Sequence, residues 1–73
     1  MATVLSESCV EQIGETAGLI WQTLDVEGPM SLAKLTRTID APRDMVMQAI
    51  GWLAREEKLS IEERARGRFV TLV

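Results

Sequence analysis

RDMVMQAIGWLAREEKL, residues 43–59, is the stretch on which the fold turns. At about 100° per residue, Val46, Ala49, Ile50 and Leu53 fall on one side of a helix and make a stripe that must be buried. The opposite side carries Asp44, Gln48, Gly51 and Arg55, with Met45, Met47 and Trp52 at its edges. This mixed face can meet the edges of bases, another protein or water alone, and the rest of the chain has to decide between them.

Upstream, Asp40-Ala41-Pro42 opens this helix, because proline is tolerated in a first turn where its missing amide is not needed. Either Asp40 or Ala41 is then the N-cap. Ser31 is a good N-cap for a short helix before it, with Leu32, Leu35 and Ile39 on the inner side and the weak helix formers Thr36, Thr38 and Asp40 favouring an early stop. Met30 and its neighbours leave room for a very short strand. Earlier still, Ser8-Cys9-Val10-Glu11 fits a capping box, which places a helix start there and leaves residues 1–7 loosely ordered. Val10, Ile13, Ala17, Ile20 and Leu24 then form one apolar stripe, which Gly28-Pro29 ends.

Downstream of Lys58 the period changes. Leu59 to Arg64 and Arg68 to Val73 read as two extended segments around Ala65-Arg66-Gly67, a hairpin with glycine at its turn. The first strand is the more polar, which suits an edge. Fold class is therefore mainly α with a small β-hairpin (α+β), a single domain over residues 1–73.

Size and composition narrow the function. A chain of 73 residues buries one small core, and its hydrophobic fraction of 47% suits a folded globule. No apolar run approaches the roughly 20 residues that span a bilayer. The start lacks the basic and apolar blocks of a secretory signal, and the one cysteine, Cys9, has no partner within the chain, so a reducing cytoplasm is expected. Histidine is absent, which removes the commonest general base and the commonest metal ligand. Glu56-Glu57 and Glu62-Glu63 are adjacent pairs whose side chains diverge on a helix or strand, so they read as solvated charge. No enzyme, metal site or cofactor is expected.

Charge is uneven along the chain. Residues 1–30 carry five acids and no Lys or Arg, a net charge of −5. Residues 31–73 carry all eight basic residues against six acids, a net charge of +2. One half repels a polyanion and the other weakly attracts it.

Long helix, short helix, tight turn, third helix and hairpin is an order that resembles a winged helix-turn-helix, three helices plus a two-stranded wing, over about Ser8 to Val73. "GETAGLIWQTL" (residues 14–24) and "AIGWLAREEKL" (residues 49–59) further resemble a family of small, stand-alone bacterial winged helix-turn-helix proteins of unknown function. The resemblance implies a DNA binder of transcription-regulator type, with the third helix in the major groove and the wing on the backbone or minor groove. On this sequence Arg43, Gln48 and Asp44 would reach base edges, and Lys34, Arg37 and Arg55 would hold phosphates. Arg66 at the wing tip, flanked by Arg64 and Arg68, would enter the minor groove.

Three features pull the other way. The pI of about 4.8 is far below the basic values usual for such domains. The third helix also shows Met45, Met47 and Trp52, apolar surface that suits a protein partner. Gly14 and Gly18 point the same way: each costs roughly 1 kcal/mol against alanine inside a helix, so something is expected to pack on the backbone there. Either the indole of Trp52 closes over them within the monomer, or they belong to a face for a homodimer or another protein. A non-catalytic interaction module is thus the alternative to double-stranded DNA binding.

Overall fold

The computed structural model describes residues 3–73, with side chains from Cys9 onward. A long helix, α1 (Thr3–Glu27), leads into a two-residue strand, β1 (Met30–Ser31). Two further helices follow, α2 (Leu32–Thr38) and α3 (Arg43–Arg55), and the chain ends in a hairpin of β2 (Leu59–Arg64) and β3 (Gly67–Leu72). The strands form one antiparallel sheet in the order β1-β3-β2.

Helix α1 starts five residues before the expected capping box, so Ser8 lies inside it, and the serine side chain falls outside the described residues. Residues 1 and 2 also lie outside them. Ala17, Ile20 and Leu24 are buried and Ile13 packs at the margin, but Val10 is 67% exposed. The helical repeat continues past the end of the core, and periodicity alone cannot show where that end is. Gly28 closes the helix at φ +85°, donating its N–H to the Leu24 carbonyl at 2.9 Å, in a conformation glycine adopts without a Cβ penalty.

The short strand at Met30 forms as the sequence allowed, pairing Met30 with Val70 and Ser31 with Phe69. It turns the two-stranded wing into a three-stranded sheet. Ser31 also caps α2, its Oγ accepting the Lys34 N–H at 3.1 Å. One residue therefore joins the sheet to the helix-turn-helix.

The N-cap of α3 is neither Asp40 nor Ala41. Ala41 donates its N–H to the Ile39 carbonyl at 2.9 Å and is used up in the turn, while the Pro42 carbonyl accepts the Val46 N–H at 3.0 Å and starts the helix. At its other end the chain reverses at Glu57, which takes φ +62°. The Lys58 N–H reaches the Leu53 carbonyl at 2.9 Å and the Glu57 N–H reaches that of Ala54 at 3.0 Å, the Schellman pattern with glutamate where glycine is usual.

Among the described residues, twelve buried apolar side chains form one core to which every element contributes, with Ile20, Leu35, Val46 and Val70 fully buried in it. Val46, Ala49, Ile50 and Leu53 of α3 are all in it, as are Leu35 and Ile39, and Leu32 packs beside it. The hairpin turn is one residue tighter than the sequence suggested: Arg64 pairs with Gly67, leaving Ala65-Arg66 as the loop. Gly67 opens β3 at φ +128°, so glycine is needed at the turn, inside the strand rather than at the tip.

Candidate nucleic-acid interface

Core packing on one side of α3 leaves the other side free. Asp44, Gln48, Gly51 and Arg55 are all exposed and, at about 100° per residue, lie within roughly 60° of one another. Asp44 Oδ1 accepts the Met45 N–H at 2.8 Å, which turns the carboxylate toward the first turn, where the helix dipole favours an anion. Gly51 lies within this arc, and a Cβ built on it meets no atom within 4 Å. Arg43 is exposed at the first residue of α3, about 100° round from Asp44. On α2, Lys34 and Arg37 are three residues apart and both exposed, opposite the buried Leu35.

The three wing arginines do not form one stripe. Successive residues of a strand point to opposite faces, and the turn at Ala65-Arg66 separates Arg64 from Arg68. Arg64 shares a face with Phe69 and with Glu62; its guanidinium sits 4.5 Å from the Phe69 ring centroid and donates to Glu62 Oε1 at 2.8 Å. Arg68 lies opposite Glu63 in the register and donates to its Oε2 at 3.2 Å. Arg66 remains at the tip. Among the described residues, Lys34, Arg37, Arg43, Arg55, Lys58 and Arg66 are in no ion pair.

The sequence reading missed the two glutamates as neutralising partners. Their signal was the register: with the turn one residue shorter, Glu63 falls opposite Arg68. It also missed Phe69 as a platform for Arg64, which the β1–β3 pairing places on the outer face beside Ser31.

The apolar candidates split into two groups. Gly14, Gly18 and Trp52 do come together, with Trp21, around an open groove of about 680 Å³ between α1 and the C-terminal end of α3. Trp52 does not close over the glycines, since a Cβ on either of them would meet no atom within 4 Å. Met45, one heptad before Trp52, lies on the same edge of α3, whereas Met47 is about 140° away on the other edge. No helix among the described residues is long and apolar enough to cross a membrane.

Comparison with known proteins agrees with this architecture. Residues 9–72 match a family described as "Winged helix-turn-helix domain (DUF2582)". An uncharacterized protein of Methanocaldococcus jannaschii is 43% identical over 53 residues, covering 68% of this chain and 74% of that protein. Its archaeal source means that the likeness is not confined to bacteria. No solved structure matches the chain significantly. Three helices packed on an antiparallel sheet and a family match over nearly the whole length lead to one conclusion: the chain belongs to the DUF2582 family of winged helix-turn-helix domains.

Proposed function

We propose that this domain binds double-stranded DNA in the cytoplasm as a regulator-type protein, without catalysis, inserting α3 into the major groove and laying the hairpin tip along the backbone or minor groove. The observation that carries this reading is the unpacked arc of α3, set beside cations that are in no ion pair among the described residues. Arg43 and Gln48 offer paired hydrogen bonds to guanine and adenine edges. Lys34, Arg37 and Arg55 hold phosphates, and Arg66 enters the minor groove. Gly51 fits the same reading, because a bare backbone at mid-helix lets α3 sit deep between the strands.

Affinity on this reading is modest. Lys34, Arg37, Arg43, Arg55 and Arg66 give five unpaired cations, while Arg64 and Arg68 are already occupied. Five cations brought against the duplex, on phosphates or in the grooves, each displace about one condensed counterion and give a slope of log K against log salt of about −4 to −5. Fluorescence anisotropy on a random labelled duplex over a salt series tests this directly. A slope in that range supports the reading, and no binding at low salt rejects it.

A second reading rests on a different face. Trp52 is 52% exposed and Trp21 41% exposed at the rim of the α1–α3 groove, which suits a protein contact.

A further inference from the structure

We infer that Asp44 makes this domain select cytosine at one position of its DNA site, an inference that rests on the major-groove placement of α3 and extends it to sequence preference.

Within the fold, Asp44 has little to do. Its side chain is exposed, and it is in no ion pair among the described residues. Oδ1 accepts the Met45 N–H at 2.8 Å, which fixes the carboxylate at the first turn of α3. Oδ2 has no hydrogen bond among the described residues. The helix dipole favours an anion at this end, a small structural role that any acid of the first turn could fill.

Against DNA, the same carboxylate is unfavourable unless a base answers it. Phosphates repel it, and the water it loses on contact has to be replaced by hydrogen-bond donors. Arg43 is the neighbouring cation in sequence but points about 100° away around the helix, so it does not supply them. The donors have to come from the duplex.

A carboxylate only accepts hydrogen bonds. In the major groove guanine shows the acceptors O6 and N7, thymine shows the acceptor O4, and adenine shows a donor beside an acceptor. Cytosine shows its N4 amino group as a donor alone. Cytosine therefore matches Asp44, while guanine and thymine set acceptor against acceptor.

Reach is the remaining requirement, because aspartate is short and its backbone has to come close to the bases. Gly51 lies one heptad beyond Asp44 and only about 20° from it around α3. Nothing stands within 4 Å of the point where a Cβ on Gly51 would be, so the backbone on this line is bare. Gln48 stands one turn along the same arc, a rise of about 6 Å. That is roughly two steps of the duplex, so the adenine read by Gln48 and the cytosine read by Asp44 fall within about two base pairs of each other. At every other sequence the carboxylate stays unmatched and weakens binding, and that penalty on wrong sites is itself a source of specificity.

Selection from a pool of duplexes with a randomised core, at low salt, tests this. The wild-type chain is expected to enrich a C·G pair within about two base pairs of an adenine. Replacing that cytosine by thymine is expected to weaken wild-type binding about five- to a hundredfold. Asp44→Asn is expected to stay folded by circular dichroism, to bind random duplex more tightly, and to exchange the preference for cytosine for one for adenine, whose N6 and N7 an amide can pair. Asp44→Ala is expected to lose the preference at that position without gaining another. A charge that serves only the helix end would lower the melting temperature of both variants and leave the selected sequence unchanged. Duplex binding by the wild type with no preferred C·G pair, or the same preference in wild type and Asp44→Asn, overturns the inference and leaves the groove placement of α3 standing. Absence of any binding to the pool rejects that placement and this inference together.

Discussion

Arg64 lies across the ring of Phe69, 4.5 Å from its centroid, with Glu62 holding the same guanidinium at 2.8 Å. The contact fixes one wing cation on the outer face of the sheet and neutralises it there. Arg68 is held on the other face by Glu63 at 3.2 Å. An alternation that looks strongly basic in the sequence is thus muted by its own neighbours.

Removing those neighbours should strengthen duplex binding. Glu62→Gln with Glu63→Gln releases two cations and two repelling charges, so the salt slope is expected to steepen by up to about two, with tighter binding at low salt. Stability should fall by no more than about 1 kcal/mol, because both pairs are half exposed or more and screened by solvent. An unchanged slope in the anisotropy series would show that the wing does not touch DNA.

Gly51→Ala separates folding from binding at one position. The new methyl meets no neighbour, and alanine is the better helix former, so thermal melting should show a gain of about 1 kcal/mol. Duplex affinity should drop, because the added side chain stands between the α3 backbone and the bases. A stabilised variant with undiminished affinity would remove Gly51 from the interface.

Glu57→Gly should stabilise the fold by up to about 1 kcal/mol, since φ +62° strains a residue with a Cβ and costs glycine little. Urea unfolding measures this. A loss of stability would mean that the Glu57 side chain contributes more than its backbone costs.

Leu35→Ala removes a fully buried side chain between α2 and the sheet and is expected to cost about 2–5 kcal/mol. Leu53→Asp, at a position 5% exposed, should unfold the domain outright, because an unpaired buried charge exceeds a margin typical of so small a protein. A native-like circular dichroism spectrum for Leu53→Asp would show that the core is misplaced.

Much of this architecture could be read from residue spacing, and the exceptions have physical causes. The four inward positions of α3 repeat at three and four, and Ser31 is a strong local cap, so both were legible without tertiary information. Val10 continues a periodic stripe beyond the globule, and nothing local marks where its packing partners end. Pro42 is the N-cap because its own backbone stays extended, at φ −58° and ψ 147°, while its carbonyl accepts the Val46 N–H, a choice made by the turn and not by a capping side chain. At the candidate site, exposure of Lys34, Arg37, Arg43, Gln48 and Arg55 followed from helical phase. The neutralisation of Arg64 and Arg68 depended on strand register, which a one-residue difference in the turn changes.

Nitrogen-15 resonances of the labelled protein, followed during titration with a random duplex at low salt, test the proposed nucleic-acid surface most directly. Binding through α3 and the wing tip should shift the amides of Arg43, Gln48, Arg55 and Arg66 together and leave those of Gly14, Gly18 and Trp21 in place. Silence at every one of these positions, or movement confined to the α1–α3 groove, would contradict it.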